Sequence, residues 1–273
     1  MIKALFFDLD GTLLTDEKTM LPSTYDALKL CKEKGIKIFL ATGRSSAVNK
    51  MLGWTDWELS LFDGGIFCNG ASMILDGKTE NLFIDPDAVR YCVEQVNRYD
   101  QVHMSLHMEN NIHAFNFTLP ERVYGPWGLT KEEIALLDET SFQRAVKVLV
   151  FFENLVDRCH RCLPEALYKD LSDYCAGKAT VYLTDQGQSI QLAPLGVSKY
   201  SSVEKFRVDL GLNKDEIAVF GDDLNDMEML QNYPYGVAMG NAVEEVKSIA
   251  AYTTHSNQAN GISYALRTIL NLV

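Results

Sequence analysis

Two aspartates two residues apart, Asp8 and Asp10, end an apolar run in the stretch FFDLDGTLLT. Carboxylates this close repel each other unless a positive charge lies between them. A divalent cation answers that repulsion, and a hard ion such as Mg2+ prefers oxygen ligands of this kind. A second acidic group follows another apolar run in AVFGDDLNDMEML, with Asp222, Asp223 and Asp226 around Asn225. Thr42 and Gly43 of FLATGR offer a hydroxyl and amides that bind an anion without adding charge, and Lys199 of LGVSKY precedes a predicted helix. One lysine, one metal ion and several backbone amides would together hold a phosphoryl group among carboxylates.

For these residues to meet, the runs before them must be strands of one sheet. KALFFDL, KIFLATG, GGIFCNGA, EIAVFGDD, YGVAMG and AYTTH are short and mostly apolar, as expected of parallel strands covered on both faces. PSTYDALKLCKEKG reads as an amphipathic helix, with Pro22 in its first turn and Gly35 at its end. Helical segments around Asp226–Gln231 and Val243–Ala250 continue the alternation, which predicts a doubly wound parallel sheet. Ligands of such sheets sit outside the carboxyl ends of the strands, where Asp8, Asp10, Thr42 and Asp222 fall.

The middle of the chain has a different pattern. DPDAVRYCVEQVNRY is helical by the spacing of Val89, Cys92, Val93 and Val96, and QVHMSLHMENNIHAFNFTL reads as a hairpin turning at Asn110–Asn111. AVKVLVFF, ATVYLTD and QSIQLA are further strands, with RCLPEALYKDLSDYC helical between two of them. This α+β pattern with antiparallel pairing interrupts the βαβ alternation. It predicts an α/β core in two parts, 1–83 and 190–273, with an α+β domain inserted at 84–189.

Composition narrows the function classes. The chain has 273 residues, 47% apolar and 23% charged, enough to bury a substantial core. Its net charge of −12 argues against a nucleic-acid partner. No run approaches the roughly 18 apolar residues of a membrane span. The start MIKALFFDLD carries acids at once and lacks a signal-peptide cleavage site. Six cysteines are too sparse for a disulfide framework, so reduced thiols and a cytoplasmic protein are expected.

DLDGTLL, ATGR, the lysine of GVSKY and GDDLNDMEML fall in the order and spacing of the four haloacid dehalogenase superfamily motifs, and the chain resembles that family over essentially its whole length. TGR, the NGA of CNGAS and the long insertion between the second and third motifs resemble the Cof-type branch, phosphatases with a class IIB α/β cap. The resemblance implies a Rossmann-like core and a Mg2+-dependent phosphatase of small phosphorylated metabolites, sugar phosphates first and nucleotide or cofactor phosphates next. It implies that Asp8 forms an aspartyl-phosphate and that Asp10 protonates the leaving oxygen and then activates water. Mg2+ would be held by the Asp8 carboxylate, the Asp10 main-chain carbonyl and Asp222, with Asp226 behind them orienting Lys199. The Leu9 amide, Thr42, Gly43, Lys199 and Asn225 would bind phosphate. The inserted domain would act as a lid, hinged near 83–84 and 189–191. The alternatives are a phosphomutase on the same core and a non-enzymatic regulator that binds phosphometabolites. In one departure, Tyr200 follows Lys199 where relatives usually have glycine.

Other features have plainer readings. Cys92 and Arg98 match C-x5-R, but the residues between them are helical and Cys92 lies on the apolar face, so a buried structural cysteine is expected. Cys159 and Cys162 form a lone CxxC and read as ordinary helical residues. His103 and His107 share a strand face. A two-residue turn at Asn110–Asn111 pairs Met108 with His113 and puts His113 on the opposite face, so no three-histidine cluster forms. Trp54 and Trp57 are read as core.

Overall fold

The computed structural model describes residues 1–152, 161–184 and 187–273. It contains two compact units, one of Met1–Arg44, Trp54–Thr79 and Ser198–Val273, the other of Ser45–Gly53 and Glu80–Val197. No helix among the described residues is long and apolar enough to cross a membrane.

The first unit is built on a mixed sheet in the order Tyr252–Thr253, Tyr235–Ala238, Ile217–Gly221, Ala4–Phe7, Lys37–Ala41, Gly64–Phe67, Ser72–Leu75, Lys78–Asn81. The first six are parallel, and Ser72–Leu75 folds back antiparallel on Gly64–Phe67. Every residue of Ala4–Phe7 and Ile217–Gly221 is buried, as strands covered on both faces must be. Phe6 stacks on Phe39 and meets the edge of Phe206, while Phe7, on the other face, stacks on Phe220. Burying each such ring contributes roughly 1.5–3 kcal/mol. From Ala4–Phe7 the chain moves to one neighbour, Lys37–Ala41, and much later returns to the other, Ile217–Gly221. That reversal of strand order opens a crevice at the carboxyl ends, where Asp8 and Asp222 follow directly.

Two helices of this unit pack against the sheet. Pro22–Glu33 starts with its proline and buries Thr24, Ala27, Leu28 and Cys31. Lys199–Asp209 is capped by Ser198, whose hydroxyl accepts from the Ser201 amide while the Ser201 hydroxyl accepts from the Ser198 amide. The acidic loop begins with a single turn, Leu224–Asp226, before the helix Met227–Asn232. Trp57 is not core: it is 54% exposed and lies against Tyr25 on the surface, because the short helix Asp56–Leu59 buries none of its residues. Trp54 is half-buried and stacks on Phe62.

The second unit has a six-stranded sheet in the order Ala179–Thr184, Ser189–Pro194, Ala145–Phe152, Val102–Met108, His113–Phe115, Ile134–Leu136. Its pairs are antiparallel except the last. The helices Pro86–Val96 and Glu165–Cys175 cover one face, packing Val89, Cys92, Val96, Leu167 and Leu171 into one core with Met104, Leu106, Val148 and Val150. Burial pushes the Cys92 thiol well up, so no thiolate is held there. Cys159 lies outside the described residues; Cys162 is exposed. The unit begins at Glu80 and ends at Val197, against the expected 84–189. It also takes in Ser45–Gly53, where Lys50 pairs with Glu133 at 2.6 Å and Met51 packs against Gly128.

The hairpin register departs from expectation. Asn110 and Asn111 both have left-handed backbone, φ 58° and 59°, within a Glu109–Asn111 turn. The Met108 amide bonds to the Ile112 carbonyl, so the loop is one residue longer than a two-residue turn and His107, not Met108, pairs with His113. A one-residue slip turns a side chain to the other face. His107 and His113 therefore touch, with ring centroids 4.2 Å apart. Both imidazoles are held neutral mainly by burial.

Candidate active site

Every candidate site residue lies in the first unit. Asp8 extends the sheet by one rung, its amide donating to the Phe220 carbonyl at 3.0 Å. Lys199 donates to Asp8 Oδ1 at 2.6 Å and to Asp226 Oδ1 at 2.7 Å, and all three side chains are buried. An ammonium in the first turn of a helix is opposed by the helix dipole, so these two carboxylates are what hold it there. Burial alone would lower the Lys199 value, but Asp226 and Asp8 outweigh it and keep the ammonium charged.

Asp226 is fully occupied. Its Oδ1 takes Lys199, and its Oδ2 accepts from the amides of Asp222 and Asp223 at 3.0 and 3.2 Å. Asp222 accepts from the Thr12 hydroxyl at 2.6 Å through Oδ1. A side chain at Gly11, where φ is +81°, would collide with Asp222 Oδ2, so only glycine lets the loop pass. Asp223 does not join the cluster; it caps the turn by accepting from the Leu224 amide.

Asp8, Asp222 and Asp226 each bring a carboxylate oxygen to within 4.8 Å of the others. Three carboxylates against one lysine leave a surplus of negative charge. Burial raises the Asp8 carboxyl, Lys199 opposes it, and Asp226 and Asp222 push it further up. Burial raises Asp222 to about 7 despite Thr12, with Asp226 adding to the push. Asp8 Oδ2 and Asp222 Oδ2 accept no hydrogen bond among the described residues, and neither does the Asp10 carbonyl. This donor set of hard, unshared oxygens with uncompensated charge fits a divalent cation.

Asp10 faces a different environment. Arg44 grips it through Nε to Oδ2 at 2.6 Å and Nη2 to Oδ1 at 2.7 Å, and Lys18 adds a bond to Oδ1 at 2.7 Å. Burial would raise the Asp10 carboxyl, but the hydrogen bonds from Arg44 and Lys18 outweigh it and hold it at about 2.

The anion-binding candidates form a third group. Thr42 is buried; its hydroxyl accepts from the Arg44 amide at 3.1 Å and its carbonyl from the Asn69 amide at 3.0 Å. Asn225 donates through Nδ2 to Asn69 Oδ1 at 3.0 Å, and Gly43 is close enough that a Cβ there would press on the same oxygen. The Leu9 amide finds no acceptor among the described residues. Tyr200 points away from the cluster and accepts from Lys214 at 3.1 Å beside Tyr233.

Thr12, Lys18, Arg44 and Asn69 were not singled out individually in the sequence. Three of them sit inside quoted motifs, DGT, TGR and NGA, and that was their signal. Lys18 had none, since its approach to Asp10 depends on a turn with φ 62°.

The family model for haloacid dehalogenase-like hydrolases matches residues 5–266. The chain is 26% identical over 278 residues to the 5-amino-6-(5-phospho-D-ribitylamino)uracil phosphatase YitU of Bacillus subtilis, covering 97% of this chain and 96% of that protein. It is 25% identical over 265 residues to phosphoglycolate phosphatase 1 of Saccharolobus solfataricus, covering 96% and 93%. Among solved structures, it resembles the HAD subclass IIB sugar phosphatase BT4131 with a TM-score of 0.80 and 26% identity, covering 99% of this chain and 100% of that one. BT1666 from Bacteroides thetaiotaomicron, a phosphatase of the same superfamily, aligns with a TM-score of 0.78 and 26% identity, covering 100% and 96%.

Proposed function

Because the chain belongs to the haloacid dehalogenase-like hydrolase family, we propose that it is a Mg2+-dependent phosphatase of small phosphorylated metabolites. One observation carries this reading: Asp8 has one oxygen fixed by Lys199 and the other unshared, beside the unshared oxygen of Asp222. A carboxylate so held is aimed as a nucleophile.

The Asp8 carboxylate attacks phosphorus, an oxygen–phosphorus bond forms, and the bond to the leaving oxygen breaks. Water then attacks the aspartyl-phosphate, releasing phosphate and restoring Asp8. Lys199, Thr42, Gly43, Asn225 and the Leu9 amide hold the phosphoryl oxygens, so that positioning and charge neutralisation do most of the work. Asp10 protonates the leaving oxygen and later takes a proton from the attacking water. Its grip by Arg44 and Lys18 keeps it ionised, so the acid step requires substrate binding to loosen that grip and let Asp10 take up a proton from solvent before passing it to the leaving oxygen. Asp8, the Asp10 carbonyl and Asp222 would hold Mg2+, which when bound neutralises charge on the phosphoryl group and the attacking carboxylate.

Sugar phosphates are the leading substrate class, supported by the sugar phosphatase among the similar structures, with nucleotide and cofactor phosphates next. Six cysteines among 273 residues are too sparse for a disulfide framework, in keeping with a reducing compartment such as the cytoplasm. The test is a phosphate-release screen of the purified protein across a metabolite panel. Activity is expected to vanish with a chelator and return with Mg2+. Isomerised product without free phosphate would replace hydrolysis with mutase chemistry, and no turnover of any phosphate ester would end the reading.

A second expectation needs no turnover. Asp222 holds its proton to about 7 in the folded protein against an ordinary 3.8. Between those values the folded state binds the proton more tightly than the unfolded chain, so cation-free stability falls as pH rises. A cation needs the carboxylate ionised, so Mg2+ competes with that proton. The rise in melting temperature on adding Mg2+ should therefore be larger at pH 8 than at pH 5.5. An equal rise at both would contradict cation binding at Asp222.

A further inference from the structure

The turn Cys68–Asn69–Gly70 has three consecutive residues in left-handed backbone, φ 51°, 56° and 114°, two of them not glycine. Non-glycine residues adopt this conformation at a cost, and a run of them persists only where the surroundings impose it. Here the restraints are visible. The Cys68 amide donates to the Arg44 carbonyl at 2.8 Å, and the Asn69 amide to the Thr42 carbonyl at 3.0 Å. On the far side the Ser202 hydroxyl donates to the Gly70 carbonyl at 3.1 Å, and a side chain at Gly70 would strike the Ser198 carbonyl. The turn is thus bolted between the Thr42–Arg44 loop and the first turn of the helix that carries Lys199.

The Asn69 side chain completes the junction. Its Oδ1 accepts one hydrogen of the Asn225 amide nitrogen and lies against Gly43. An amide nitrogen has two hydrogens, so this bond fixes the Asn225 side chain while leaving its second hydrogen for another acceptor. Asn225 itself is exposed, on a one-turn segment that offers little other restraint.

We infer that Asn69 is a positioning residue for the phosphoryl group: it locks the Asn225 amide and spaces it from the Thr42–Gly43 loop, so that both address one anion. The inference rests on the phosphatase reading above. It assigns no contact between Asn69 and substrate.

The test uses Asn69→Gly, Asn225→Ala and the double variant, read by inorganic-phosphate affinity in calorimetry, by kcat and KM on an aryl phosphate, and by melting temperature. Glycine tolerates the φ of 56°, so Asn69→Gly removes the side chain without imposing strain. Phosphate affinity is expected to fall about tenfold, the scale of one lost hydrogen bond, with KM rising in step, kcat changing less and the melting temperature nearly constant. In the Asn225→Ala background the same substitution should have little further effect, since the two act as one unit. Additive losses, or unchanged phosphate affinity in Asn69→Gly, overturn the inference while leaving phosphatase activity in the parent protein untouched. So does a loss of affinity that simply tracks a fall in melting temperature. A parent protein that neither binds nor releases phosphate overturns the phosphatase reading itself.

Discussion

Asp8→Asn is expected to lower kcat for an aryl phosphate by about 10^4-fold or more, the scale seen when a catalytic nucleophile is removed. An amide oxygen of the same shape cannot form the aspartyl-phosphate, so the loss should fall on kcat. The fold should survive. Asp8 is one of three clustered carboxylates around a single lysine, and Lys199 keeps its bond to Asp226. Burial is the main cost of the Asp8 charge, and an asparagine oxygen can still accept from Lys199, so the melting temperature should hold. Activity of the variant close to that of the parent would exclude Asp8 as nucleophile.

Asp226→Ala should act mainly through stability. This carboxylate is fully buried and serves Lys199 and two backbone amides at once. Removing it leaves the ammonium with one partner and two N–H groups with none. Breaking such a buried pair costs about 3–5 kcal/mol, or a fall in melting temperature of roughly 10 °C for a domain of this size. Asp226→Asn should fall less, because an amide oxygen still faces one set of donors. A melt of the alanine variant within about 2 °C of the parent would show that the network contributes little.

The chemistry-bearing residues were legible because they sit where apolar strands stop. The alternation of strands and helices puts Asp8, Thr42 and Asp222 at carboxyl ends of one sheet, and the sheet order brings these ends side by side. What the sequence concealed depends on single backbone angles. The left-handed Asn110 and Asn111 lengthen one hairpin loop by a residue and so bring His107 against His113. The left-handed Lys18 brings its ammonium to Asp10. Periodicity carries no information about such turns. Trp57 was misjudged for another reason: hydrophobicity favours burial, but a four-residue helix has too little surface to bury it. Tyr200 stands where relatives usually have glycine, and the helix turns its ring toward Lys214.

The burial of Lys199 has a consequence for the chemical durability of the protein. Non-enzymatic acylation and glycation of lysine need an amine that is both reachable and unprotonated. Lys199 is neither: its side chain has no solvent exposure, and two carboxylates keep its proton in place. Reactive acyl donors would spend themselves on exposed lysines such as Lys3 and Lys18 first, and the ammonium beside Asp8 would be among the last to be lost with age.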